Sequence, residues 1–234
     1  MNAGVFGSSL TAVGILLTQL KLLQHPQLYS SLTPSESFYR VAMADDTSYA
    51  EVYLEGLKKH DYNFLLNDFS YFQFQRRSVP APFDLRYGFY PNPFAVVTFE
   101  QFCDENECDP LVGDSYELYL QFLDELDERN WVPPFRYEVS FNQYAELSHP
   151  TAHLHIGRHD SNRWPVERIL TPLAFTLLVT KHYYGDAWQL GADVDDKGEP
   201  TNKFDEQFIS VKEVCTVIEP AYFSVRERRQ PYLG

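Results

Sequence analysis

At 234 residues and 27.2 kDa, with 44% hydrophobic, 22% charged and 16% aromatic residues, the chain is long and apolar enough for a sizeable core, which excludes disordered, collagenous and coiled-coil readings. The sum of 19 basic and 33 acidic residues is −14, so the molecule as a whole repels a phosphate backbone and non-specific DNA coating is excluded. Three cysteines, Cys103, Cys108 and Cys215, are too few and odd in number for a disulfide scaffold, and point to a reducing, cytoplasmic setting.

The start of the chain lacks a positively charged leader region, and its apolar run is interrupted by Gln19 and Lys21, so neither a secretory signal nor a membrane span is expected. Leu10, Val13, Leu16, Leu17 and Leu20 recur at helical spacing and predict a helix over residues 9–24 that stops at His25-Pro26. Thr33-Pro34-Ser35-Glu36 predicts a second helix, with Thr33 as its cap, to about Met43. Ser48 and Glu51 form a capping-box pattern that opens a third, to about Lys59. The stretch from Asp61 to Arg77 then alternates, with a turn at Asn67-Asp68, and reads as a hairpin; FDLRYGFYPNP supplies a third strand in meander order.

After an acidic loop, Asp114 opens a predicted helix with a stripe of Tyr116, Tyr119, Leu120, Leu123 and Leu126. FRYEVSFNQY alternates as a strand, Ser148-His149-Pro150 turns, and TAHLHIG returns, giving a hairpin nearer the C-terminus. Thr171-Pro172 caps a helix that runs to Gly185. A polar loop over 193–205 and a strand-like run from Phe208 to Ile218 complete the chain. The expected fold is α+β, one domain over 1–234. Its mainly antiparallel sheet, a meander plus the C-terminal hairpin, carries helices on one face, and the helical part over 1–60 packs on the sheet.

Charge and histidine are concentrated in one segment. From His149 to Tyr184, Arg158, Arg163, Arg168 and Lys181 stand against Asp160 and Glu167, a net +2, and five of the seven histidines lie there. His153 and His155 are the sharpest pair, because a strand sends i and i+2 to the same face. We expect both on an exposed sheet face at the mouth of a concavity. Such a pair suits an acid and a base flanking a phosphodiester, or chelation of a transition metal with His149, Glu138 or His182 as third ligand. Counting along the helix places Lys181 on its apolar stripe, where it joins His153 and His155 as a catalytic candidate, with Arg136 and Arg158 as phosphate-binding candidates. A half-exposed sheet face with Arg-to-Glu pairing, and a lysine favoured by the helix dipole, explain the same residues without function.

Other motifs fall away. Cys103 and Cys108 lack a second ligand pair, and the loop starting at Asp193 has Lys197 and Phe204 where a calcium loop needs oxygen ligands. No nucleotide-binding glycine motif or nucleophilic serine motif is present.

Taken together, FLLNDFSYFQFQ, LRYGFYPNPF, RYEVSFNQY, SHPTAHLHIG and RWPVERILTPLAF resemble the bacterial family catalogued as domain of unknown function 2290, from about Ser48 to Tyr184. A fainter likeness, on Arg136-Tyr137 and His149, His153 and His155, is to His-rich toxins of toxin–antitoxin pairs. It implies a nuclease-like or toxin-like component of a bacterial defence or toxin–antitoxin locus that cleaves RNA by histidine acid–base chemistry. No cofactor and no bound metal are expected. The expected partners are a cognate protein and a short single-stranded RNA, with no bulk duplex DNA and no membrane. The reading from another class is a non-catalytic acidic subunit that docks a basic partner or mimics nucleic acid.

Overall fold

Strict two-residue alternation governs the centre of the molecule. The computed structural model describes residues 1–26, 28–78, 82–94, 99–109, 133–157, 162–229 and 231–234, together with Ser115, Leu118 and Phe122. Its main sheet has seven antiparallel strands in chain order: β1 (Leu23–Pro26), β2 (Phe64–Leu66), β3 (Tyr71–Arg77), β4 (Asp84–Tyr90), β5 (Phe135–Ser140), β6 (Ala152–Ile156) and β7 (Trp164–Pro165). The expected α+β class and meander are those observed, and the hairpin of β5 and β6 continues the meander instead of standing apart.

One face of this sheet is aromatic. Phe72, Phe74, Tyr87, Phe89 and Tyr137 are all buried there, and Phe175 of helix α5 (Pro172–Tyr183) packs its ring against Phe72, Phe74, Tyr87, Phe135 and Tyr137. Helix α1 (Ala3–Gln19) adds Leu10, Val13, Leu16 and Leu17 to the same core. A bond from the Leu173 backbone N–H to Ser9 Oγ, 2.9 Å, ties α1 to the start of α5. The Tyr137 hydroxyl, buried with the rings, donates to the Arg168 carbonyl and accepts from the Leu170 N–H, which removes the cost of an unpaired polar group.

The N-terminal helices divide between the two faces. Helices α2 (Glu36–Met43) and α3 (Tyr49–Lys58) lie over the opposite face, where Phe38, Val52 and Tyr53 cluster with Tyr71 and Tyr90. Two glycines permit this second layer: a Cβ on Gly56 would strike the Tyr71 hydroxyl, and one on Gly88 would strike the Tyr90 ring that lies over it. Only part of the face is covered, and the remainder is the floor of the site described below.

Capping chemistry fixes the helix ends. Ser48 and Glu51 make both arms of the expected box, and Thr171 caps α5 with Pro172 in its first turn. The second helix is capped by Ser35 instead of Thr33, because Ser35 Oγ accepts from the Phe38 N–H and is itself fixed by Asp61. The first helix begins at Ala3, capped by Asn2, and ends at Gln19, after which Lys21 turns left-handed and the chain enters β1. The strand-like run after Phe208 is mostly helix, α7 (Lys203–Glu213), following the short α6 (Gly185–Trp188). Asn202 caps α7, and Phe204, Phe208, Val211 and Cys215 meet the core at helical spacing, so burial of that stripe outweighs the strand preference of its β-branched residues. Strand β8 (Arg168–Ile169) pairs with β11 (Thr216–Val217), and the loop over 193–205 contains a small hairpin of β9 (Ala192–Val194) and β10 (Pro200–Asn202), closed by Asp195 Oδ1 accepting from Lys197 and Glu199 N–H groups. Helix α4 (Phe99–Glu105) follows β4, and the helix predicted from Asp114 falls outside the described residues, except for Ser115, Leu118 and Phe122, which are helical. Among the described residues no helix is long and apolar enough to cross a membrane.

This core makes a direct prediction. Phe175→Ala should cost about 3–5 kcal/mol in denaturant unfolding, and a loss below about 1 kcal/mol would contradict the packing described. Ile209→Ala, at a position 60% exposed, should change stability by less than ~0.5 kcal/mol.

Candidate functional site

The register of four neighbouring strands builds the site. Pairing places Gln75, Arg86, Glu138 and His153 in one lateral row across β3 to β6, and Gln73, Gly88, Arg136 and His155 in the next. These residues share the face opposite the aromatic core, since each is one step out of phase with Phe72, Phe74, Tyr87, Tyr137 and Leu154. They line a cavity of about 270 Å³, walled on one side by α2 and on the other by His149 and Arg163.

His153 and His155 do share one face, as the strand spacing predicts. The expected exposure is corrected: they are 1% and 2% exposed and form the cavity floor, because α2 and the segment after β5 roof this face. Their alanine variants should therefore lose stability as well as any chemistry, in place of the small effect expected at an exposed site.

The proton of His153 can be assigned from its partner. Nδ1 lies 2.8 Å from the Pro150 carbonyl, which only accepts, so Nδ1 carries the hydrogen and Nε2 carries a lone pair. That Nε2 is buried and has no hydrogen-bond partner. Burial, and then the neighbouring His155, hold the imidazole neutral by lowering its pKa to about 4. The His153 ring stands edge to face with His155 at 4.8 Å and with His149 at 4.9 Å between centroids. His149, too, is held below its ordinary value, first by burial and then by Arg163.

Among the described residues lining the cavity, Glu138 is the one carboxylate. Its oxygens lie 3.6 Å from Arg136 Nη1, 4.0 Å from Arg86 Nε and 4.0 Å from His155 Nε2. With Arg163 also lining the cavity and its Nε buried without a partner, three guanidinium groups face one carboxylate. Among the described residues the cavity lining thus carries more cationic than anionic side chains in an anionic protein, an arrangement that favours anions. Glu138, His153 and His155 also form a possible metal-ligand set, with one donor atom from each within 4.8 Å of the others.

The turn that carries His149 and Pro150 is held from the C-terminal end of the chain. Buried Glu227 accepts from the Tyr144 hydroxyl and from the backbone N–H groups of Leu147 and Ser224. These bonds compensate burial of the charge and fix the loop that supplies the carbonyl orienting His153.

Of the residues expected from the sequence, Arg136, Glu138, His149, His153 and His155 come together. Lys181 does not: it lies on α5, which covers the other face, where it pairs with Asp205 and stands 5.9 Å from the Trp188 ring centroid. The expectation that it follows the apolar stripe towards the sheet is corrected: its side chain is exposed in the last turn of α5, on the far side of the sheet from the histidines. His182 is exposed on the same helix, with its ring against Tyr183. Arg158 falls outside the described residues. Sequence reasoning missed Gln73, Gln75 and Arg86 as site residues, although their alternation with Phe72, Phe74, Leu85 and Tyr87 was visible. It counted Arg163 only as local charge.

Residues 22–218 match the family model described as an uncharacterised conserved protein, DUF2290. The chain belongs to the DUF2290 family. The match extends beyond the motifs quoted above at both ends, and spans β1 to β11 (Thr216–Val217), including every strand of the DUF2290 site. No curated protein and no solved structure matches the chain.

The histidine geometry has a spectroscopic consequence. In protein kept in EDTA, nitrogen NMR should show His153 as the neutral Nδ1–H tautomer at pH 7, titrating near 4 instead of the ordinary 6.5. Because the folded value is the lower one, the unfolded chain binds this proton more readily, so stability complete above pH 6.5 is lost as pH falls towards 4. A midpoint near 6.5, or an Nε2–H tautomer, would contradict the assignment.

Proposed function

We propose that the cavity binds a phosphodiester of single-stranded RNA and cleaves it by acid–base chemistry. The observation that carries this reading is the buried, neutral, unpartnered Nε2 of His153 in a cavity lined by Arg86, Arg136 and Arg163. In the proposed step His153 Nε2 takes the proton of a ribose 2′-hydroxyl, the 2′-oxygen bonds to phosphorus, and the bond from phosphorus to the 5′-oxygen breaks. Protonated His155, held beside Glu138, gives its proton to the leaving 5′-oxygen. The products are a 2′,3′-cyclic phosphate and a free 5′-hydroxyl, and the guanidinium groups stabilise charge on the phosphorane. A toxin-like role in a bacterial defence or toxin–antitoxin locus belongs to the same proposal and is supported by the second sequence resemblance alone.

One observation favours a second reading, a divalent transition metal on Glu138, His153 and His155: their donor atoms lie within 4.8 Å of one another, and the Pro150 carbonyl orients His153 as a supporting group orients a metal-bound histidine. Charge favours the first reading. Arg86 and Arg136 already flank Glu138, and a dication would add to an excess of positive charge.

Cleavage of a short RNA in EDTA tests both. The first reading predicts activity that survives chelation and falls by ~10²–10⁴-fold in His153→Asn, whose amide can retain the bond to Pro150 but has no group in place of Nε2. Activity lost in EDTA and restored by zinc or manganese, or zinc retained stoichiometrically through dialysis, would replace the acid–base mechanism by the metal one.

A further inference from the structure

Half of the cavity is not used by the phosphate chemistry. Beyond Arg86 and Gly88 its floor continues to Gln73 and Gln75, and its far wall is α2, which presents Tyr39, Ala42 and Met43. Both glutamines are buried, at 6% and 5% exposed. An amide buried on a sheet is costly unless both of its ends find partners.

Among the described residues the structure gives each amide one protein hydrogen bond. Gln73 Nε2 donates to the Asp61 carbonyl, and Gln75 Oε1 accepts from the Tyr39 hydroxyl at 3.0 Å. These bonds fix both amides, and they leave Gln73 with a carbonyl acceptor and Gln75 with an amino donor on side chains that line the cavity. Tyr39 is fixed in turn, since its hydroxyl accepts from Arg77 Nη2 at 2.8 Å and the Arg77 guanidinium stands 5.7 Å from its ring centroid. Met43, 64% exposed, ends α2 at the cavity rim with a polarisable thioether, a side chain that adapts to flat aromatic ligands.

An acceptor and a donor held rigid beside a tyrosine and a methionine suit the edge and the faces of a nucleobase. The cationic floor alongside suits its phosphate. At about 270 Å³ the cavity is near the small end of ligand sites, which favours one nucleotide unit over a duplex whose bases are paired and stacked.

The geometry points to a nucleobase subsite formed by Gln73, Gln75, Tyr39 and Met43, so that the ligand is a single unpaired nucleotide with its base against α2 and its phosphate towards Arg86 and Arg136. This inference rests on the phosphate reading for the second half of the ligand, but its own residues are different ones.

Calorimetry on the full chain in EDTA separates the two. The probes are inorganic phosphate, ribose 5-phosphate, the four nucleosides and their monophosphates. At least one nucleoside monophosphate should bind about tenfold or more tighter than ribose 5-phosphate, and Gln75→Met should remove that advantage while leaving phosphate affinity unchanged. Met43→Ser, at an exposed position that does not threaten folding, should weaken the same nucleotide severalfold. Monophosphates that bind no tighter than ribose 5-phosphate to the wild-type protein would overturn the subsite. Nucleosides that bind and are lost in Gln75→Met, with phosphate not binding, would uphold the subsite and overturn the phosphate reading. If neither phosphate nor nucleosides bind, both are overturned.

Discussion

Alternation kept in phase across β3, β4, β5 and β6 is the constraint on which this molecule depends. Because each strand sends successive side chains to opposite faces, the pairing of Phe74 with Tyr87 and Tyr137 on one face obliges Gln75, Arg86, Glu138 and His153 to align on the other. A slip of one residue in any of these strands would turn polar side chains towards Phe175 and apolar ones towards the cavity. The hydrophobic effect that assembles the core therefore also positions the polar rows, and no separate device is needed to bring the side chains of four strands together.

The second layer then sets the electrostatics. Helices α2 and α3 bury the Tyr71 and Tyr90 end of the polar face and leave the rest as a roofed cavity, so His153 lies in a medium that disfavours its charged form. Arginines remain charged in such a place, and among the described lining residues three of them stand with one carboxylate. A chain with net charge −14 thus groups Arg86, Arg136 and Arg163 at one cavity, and on the proposed reading that cavity holds a short anionic ligand while the protein as a whole repels long polyanions.

The strand parity of His153 and His155, the hairpin that sets Arg136 and Glu138 beside them, and the caps at Ser48 and Thr171 were legible because each depends on residues close in sequence. The contribution of Gln73, Gln75 and Arg86 was not, since their register with β5 spans a long connection whose length says nothing about pairing. Lys181 shows a different failure. The stripe arithmetic placed it on the buried side of α5, but that helix is buried almost all round up to Thr180 and Lys181 is exposed in its last turn; α5 also covers the aromatic face, so no residue of it faces a polar-face site. The burial of the histidines was hidden for a related reason: the sequence displays amphipathic helices without saying which face each will cover. Helix α7 was misread because Ile209 and Val211 suggest a strand locally, whereas the decisive pattern, Phe204 to Phe208 to Val211 to Cys215, is longer than a strand window.

The central claim is that the cavity floor is an anion site at which the unprotonated Nε2 of His153 faces bound phosphate. A crystal of the protein soaked in tungstate, a phosphate mimic with a strong anomalous signal, tests it most directly. The account predicts an anomalous peak within hydrogen-bonding or ion-pairing reach of Arg86, Arg136 and His153, abolished in Arg136→Met crystals. A cavity without tungstate, or a peak confined to surface lysines, would contradict it.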